Sequence, residues 1–176
     1  ISVFSLPKFI LRNLEIFLYD RKTLANGVSD TERYRHTKEL VELFIEALQE
    51  IPVELIEQGA QSLPKRMYPH AQETIQYIKG ERALISCGIE QVVKAYSEHI
   101  YAQSYYANPL CEDQFLQHGF VYGAQDKERV VRLLYGHADR LIVLGDTSDD
   151  VGMAVVAHEK NPESVVIAMH HRSEAL

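Results

Sequence analysis

Leu141-Ile142-Val143-Leu144-Gly145-Asp146-Thr147-Ser148-Asp149-Asp150 is the stretch whose reading decides the fold. Four apolar residues form a short strand, and three carboxylates gather just beyond its C-terminal end. Val151-Gly152-Met153-Ala154-Val155-Val156-Ala157 follows and reads as a helix. In open α/β sheets, ligands bind outside the carboxyl ends of the strands. Hard oxygen ligands placed there suit Mg²⁺, which keeps several waters and takes a few carboxylates plus substrate phosphate. The same residues also read as an acidic turn that caps a helix, with Asp149 and Asp150 favoured by the helix dipole.

Working outward, Asp126 caps a helix through Leu134. Ala83-Leu84-Ile85 is a strand ending at Ser86, followed by a helix from Ile89 to His99. Gln103 to Ala107 is a weak strand, Pro109 to Gly123 a hairpin or irregular excursion, and Val165 to Ala168 a last strand. Strands alternating with helices predict a parallel sheet with crossover helices. The chain before Arg82 reads as helical. Ser5 caps a helix from Pro7 through Tyr19, and Asn26-Gly27 breaks it. Asp30 or Thr31 opens a second helix through Gln49, and Val53 to Gln61 is a third. Pro64 marks a loop, and Pro69 starts a helix through Lys79.

Composition narrows the function classes. The 176 residues, 46% hydrophobic and 24% charged, suit a globular domain with a sizeable core. The net charge of −7 argues against a nucleic-acid or anionic-membrane surface. No stretch approaches the roughly 20 apolar residues of a membrane span. Two cysteines, Cys87 and Cys111, show neither metal-ligand spacing nor a disulfide framework. The expected location is the cytoplasm.

Three segments could carry chemistry. Ser86 places a hydroxyl beside the N–H groups of Cys87, Gly88 and Ile89 at a helix start, an arrangement suited to a phosphate oxygen. A serine there is also an ordinary N-cap. Lys127 sits in the first turn of its helix, where a cation opposes the dipole at a cost of about 0.3–1 kcal/mol. That placement is explained if it faces a phosphate or the aspartates; otherwise it is a solvated lysine offset by Asp126 and Glu128. Asp146, Asp149 and Asp150 are the third segment. Tyr101, Tyr105 and Tyr106 read as core aromatics, and His170-His171 as exposed loop residues. There is no GxGxxG and no Walker A lysine motif.

In this order, the segments resemble the motifs of the haloacid dehalogenase (HAD) superfamily, in its phosphoserine-phosphatase-like branch. Ala83-Leu84-Ile85-Ser86-Cys87-Gly88 is similar to the second motif, Lys127 in Ala124-Gln125-Asp126-Lys127-Glu128 to the third, and Gly145 to Asp150 to the fourth. Met67-Tyr68-Pro69-His70-Ala71 and Tyr106-Ala107-Asn108-Pro109-Leu110 resemble the same branch. The resemblance covers about Leu63 to Met169. It implies a Rossmann-like three-layer α/β/α parallel sheet over residues 64–176, with a helical cap over residues 9–63. It implies a Mg²⁺-dependent phosphomonoester hydrolase acting on a small phosphorylated metabolite through an aspartyl-phosphate. Asp146 would ligate Mg²⁺ directly, and Asp150 in the second shell or through water. Asp149 would line the phosphate side with Cys87 and Gly88, Ser86 would hydrogen-bond the phosphoryl group, and Lys127 would stabilise its charge.

The family's first motif, Asp-x-Asp after the first strand, is absent. Residues 1–8 are either a remnant of that strand, with Ser5 and Pro7 in place of both aspartates, or the start of the cap after a lost strand. The first case makes the chain an inactive phosphate- and metal-binding protein. The second makes it part of an enzyme whose nucleophile lies outside these residues.

Overall fold

The computed structural model describes residues 29–67, 69–110 and 119–169. The helix expected from Pro7 to Tyr19, together with Ser5, Cys111 and His170-His171, lies outside them. Two compact units divide between Tyr122 and Gly123.

In the first unit, α1 (Asp30–Gln49) opens at Asp30, one of the two expected residues, and runs to Gln49 as expected, with Ser29 at the cap position. Ser29 Oγ accepts the Glu32 N–H at 3.3 Å, and the Glu32 carboxylate accepts the Ser29 N–H at 3.2 Å. This reciprocal pair satisfies two N–H groups that the helix itself leaves unbonded. Next come α2 (Val53–Ser62), a 3₁₀ turn (Leu63–Arg66), α3 (Ala71–Tyr77), β1 (Ala83–Ile89), α4 (Glu90–His99) and β2 (Ser104–Asn108). Pro64 lies inside the 3₁₀ turn rather than in a loop, because a proline at a helix start has no needed N–H to lose. Ile45, Ile56, Ile89 and Leu110 form the core, with Val41, Leu48, Ile51 and Val92 against it. Their burial unites α1, α2, β1 and α4.

β1 pairs in parallel with β2, matching Ala83 to Ser104, Leu84 to Tyr105, Ile85 to Tyr106 and Ile89 to Asn108. From Ile85 to Ile89 β1 advances four residues, while β2 advances two from Tyr106 to Asn108. Ser86, Cys87 and Gly88 therefore bulge out of register. Asn108, with 0% exposure, answers this irregularity. Its Nδ2 donates to the carbonyls of Cys87 (2.9 Å) and Val121 (2.8 Å), and its Oδ1 accepts the Val121 N–H (2.7 Å). Tyr105 and Tyr106 are half-buried, and the Tyr105 hydroxyl donates to Glu90, whereas Tyr101 is exposed and is not the core aromatic expected.

The second unit holds α5 (Ala124–Tyr135), β3 (Ile142–Gly145), a 3₁₀ turn (Ser148–Asp150), α6 (Val151–Lys160) and β4 (Val165–Ala168). Asp126 does not cap α5. Gly123 holds the cap position, and Asp126 lies in the first turn, buried and 3.1 Å from Arg129. The buried residues of α5 are Asp126, Lys127, Val130 and Val131; those of α6 are Gly152, Met153, Val156 and Ala157. Each set follows one helical stripe. The two helices pack together, and α6 also packs on β3 and β4. Gly152 is the closest point of the helix crossing, since a Cβ there would collide with the Ala124 carbonyl oxygen. β3 pairs in parallel with β4 from Ile142–Val165 to Gly145–Ala168. Val143 is buried, while Ile142, Leu144 and Ile167 remain about 40% exposed.

The α/β class is as expected, but the three-layer sheet is not what these strands form. Among the described residues there are two separate two-stranded parallel sheets, β1–β2 and β3–β4. The cause lies in the pairing: every described strand finds one ladder partner and no more.

At the end of α4, the Tyr101 N–H bonds to the Glu98 carbonyl and the Ala102 N–H to the Ser97 carbonyl. This C-cap requires a left-handed residue, and Tyr101 supplies it at φ 55°. Glycine adopts that conformation without the steric cost borne by a residue with a Cβ. Tyr101→Gly is expected to raise unfolding stability by about 1 kcal/mol, read as a higher urea midpoint at unchanged slope.

Candidate phosphate and metal site

The acidic segment closes on itself. Asp150 Oδ2 accepts the backbone N–H groups of Asp146 (2.9 Å) and Thr147 (3.1 Å) and the Thr147 hydroxyl (3.2 Å). Thr147 and Asp150 form a capping box on the 3₁₀ turn. The carboxylate can lie back over the tip of β3 because residue 145 has no side chain. A Cβ on Gly145 would collide with Asp150 Cβ. With Oδ2 occupied, Oδ1 takes the Lys127 ammonium at 2.6 Å.

This contact decides between the two readings of Lys127. The lysine is 7% exposed and paired with an aspartate, not solvated. The two side chains are 9% and 13% exposed, so water screens the pair little. Burial raises the Asp150 pKa, but the hydrogen bond and charge of Lys127, with the Thr147 and Asp146 N–H bonds, outweigh it. The carboxyl is held below its ordinary 3.8. The alternative of an acidic capping turn also holds, since Asp150 serves the cap and the lysine at once.

Asp146 is exposed at the strand tip, and Asp149 is half-buried beside it. Asp150 spends both oxygens on donors and has no direct place for a cation. Among the described residues, no group of three or more His, Cys, Asp or Glu side chains could hold a metal ion. Of the three carboxylates, Asp146 is the exposed one at the strand tip, and Asp150 is committed to Lys127 and to the Asp146 and Thr147 N–H groups.

Ser86 belongs to the other unit. It is not the N-cap of α4: β1 runs on to Ile89, which holds that position without a side-chain bond. The N–H groups expected at a helix start around Cys87 and Gly88 lie instead in the bulge. There Ser86 Oγ, half-buried, accepts the Gly88 N–H at 3.1 Å. A separate cleft of about 400 Å³ between α2 and α4, lined by Glu57, Gln61, Glu90 and Lys94 among others, contains none of these residues.

Two participants escape a search for charged motifs. Thr147 had a readable signal, the Thr-x-x-Asp spacing of a capping pair. Asn108 had none, because its partners are backbone groups of Cys87 and Val121. Comparison with known proteins finds no match among family models, curated proteins or solved structures. Among the described residues, no helix is long and apolar enough to cross a membrane.

Removing the lysine strands a partly buried carboxylate. Lys127→Met is expected to lower unfolding stability by about 3 kcal/mol near neutral pH, measured by urea denaturation. The acid response follows from the sign of the Asp150 shift. With the folded pKa below 3.8, the stabilisation is complete above that value and is lost as pH falls through the folded pKa. The stability advantage over Asp150→Asn should shrink as pH falls below 3.8, and a difference that stays constant through that range would refute the ion-pair account.

Proposed function

We propose that this chain belongs to a Mg²⁺-dependent phosphomonoester hydrolase of the HAD type acting on a small phosphorylated metabolite. The observation that carries the reading is the Lys127–Asp150 pair beneath the tip of β3. A cation held in the first turns of a helix, against the dipole and next to an acidic strand tip, suits the anchoring of an anion and its counter-cation. The motif order of Ser86, Lys127 and Asp146 supports the same family.

In this reading Ser86 donates its hydroxyl hydrogen to a phosphoryl oxygen. Lys127, oriented by Asp150, neutralises charge on the phosphoryl group. Asp149 lines the phosphate side, and Asp146 holds Mg²⁺, which neutralises charge on the phosphoryl oxygens when bound. The family's nucleophile is an aspartate that takes the phosphoryl group and is then freed by water. No Asp-x-Asp occurs in the sequence, so the proposal assigns the nucleophile to a residue outside these 176. It also requires a fuller parallel sheet than the two ladders described. The missing motif favours one second reading, a binding protein that retains phosphate and Mg²⁺ without turnover.

The test is hydrolysis of p-nitrophenyl phosphate by a protein carrying an intact Asp-x-Asp ahead of this chain. Activity should need Mg²⁺, and Lys127→Met should lower kcat by about 10²–10³-fold, the scale for one charge-stabilising donor. Absence of turnover with a panel of phosphorylated metabolites would remove the hydrolase. Orthophosphate binding without turnover would leave the binding protein standing.

A further inference from the structure

β1 leaves its ladder at the residues the phosphate reading needs. Register holds through Ile85–Tyr106 and resumes at Ile89–Asn108. Between them the backbone of Ser86, Cys87 and Gly88 must be oriented by something other than the regular backbone ladder with β2. The Cys87 carbonyl and the Gly88 N–H belong to one peptide group, which is planar. One end of that plane is held by Asn108 Nδ2 at 2.9 Å. The other end donates to Ser86 Oγ at 3.1 Å. Turning the plane would move the hydrogen-bond donor away from the serine hydroxyl.

Asn108 is itself held. It is fully buried, and Val121, also fully buried, fixes its remaining groups through its own N–H (2.7 Å) and carbonyl (2.8 Å). A buried amide with all these bonds made has one orientation, and its O and N ends are distinguished by the partners. A leucine would fill similar space but would remove the bonds to the Cys87 carbonyl and to both Val121 groups. Core filling therefore does not account for an asparagine here.

We propose that Asn108 is the positioning residue of the Ser86–Cys87–Gly88 bulge, setting the Ser86 hydroxyl through the Cys87–Gly88 peptide plane. The inference rests on the reading of that bulge as a phosphate-binding element. Asn108 touches no phosphate. It fixes where Ser86 Oγ stands, and Ser86 does the binding.

Asn108→Asp keeps the size and the acceptor for the Val121 N–H but removes the donor to Cys87. Ile100→Ala, a cavity at the C-terminal end of α4 in the same unit, supplies a comparison with no part in the tie. Two readouts are taken on the 176-residue chain: amide hydrogen exchange at Gly88 by NMR, and the dissociation constant for orthophosphate. Asn108→Asp should speed Gly88 exchange roughly tenfold beyond Ile100→Ala at matched global stability, about the worth of one hydrogen bond. It should also weaken orthophosphate binding several-fold, where Ile100→Ala does not. Equal Gly88 exchange in the two variants overturns the positioning role. Failure of the unaltered chain to bind orthophosphate overturns the assignment of the bulge to phosphate, while the exchange data still decide the tie. If Asn108→Asp does not fold, Asn108→Ser, which also lacks the amide donor, is read by the same two measurements.

Discussion

A lysine ammonium and an aspartate carboxylate 2.6 Å apart organise the second unit. Neither side chain could be withdrawn from water alone without a large desolvation cost. Their meeting imposes conditions on residues that never touch a charge. Gly152 must lack a side chain so that α6 can approach the Ala124 carbonyl of α5. Gly145 must lack one so that the Asp150 carboxylate can lie over the strand tip. Thr147 must hold one carboxylate oxygen so that the other faces the lysine. Burial of Val130 on α5 and capping of the 3₁₀ turn accompany one electrostatic contact.

The first unit solves a different problem with neutral groups. A parallel ladder cannot absorb the extra residues at Ser86–Gly88, so their backbone needs other partners. A buried amide supplies them, and Asn108 joins β1, the end of β2 and Val121. Charge would be costly at such depth, whereas an amide offers donor and acceptor without it. Each unit thus keeps an irregular strand end in place by a fully bonded polar side chain.

Much of this was legible in the residues, for identifiable reasons. Helices with long apolar stripes, such as Asp30–Gln49 and Glu90–His99, appear close to where periodicity puts them. The strands Ile142–Gly145 and Val165–Ala168 are bounded by polar turns and likewise read well. Lys127 is legible because a cation in an early helical turn asks for an anion, and Asp150 because it stands in an acidic stretch directly after an apolar strand. The extension of β1 through Ser86 to Ile89 was not legible, because Ser-Cys-Gly is a weak strand signal and the pairing that holds it is non-local. Asp126 shows the limit of local cap rules. A good capping residue stands three places inside α5, buried by α5 packing that the sequence does not display. The extent of the sheet was the largest difference, since ladder partners come from remote chain segments rather than from any strand's own pattern.

The outward side of the β3–β4 ladder has a colloidal consequence. Ile142, Leu144 and Ile167 meet solvent on a parallel pair, a type of sheet ordinarily covered on both sides. A net charge of −7 keeps neighbouring copies apart despite that bare hydrocarbon. Mild acidification toward the isoelectric point, about 5.6, titrates the repulsion away and leaves the hydrocarbon unchanged. Solubility therefore has its weak point near that pH, above the ordinary carboxylate range.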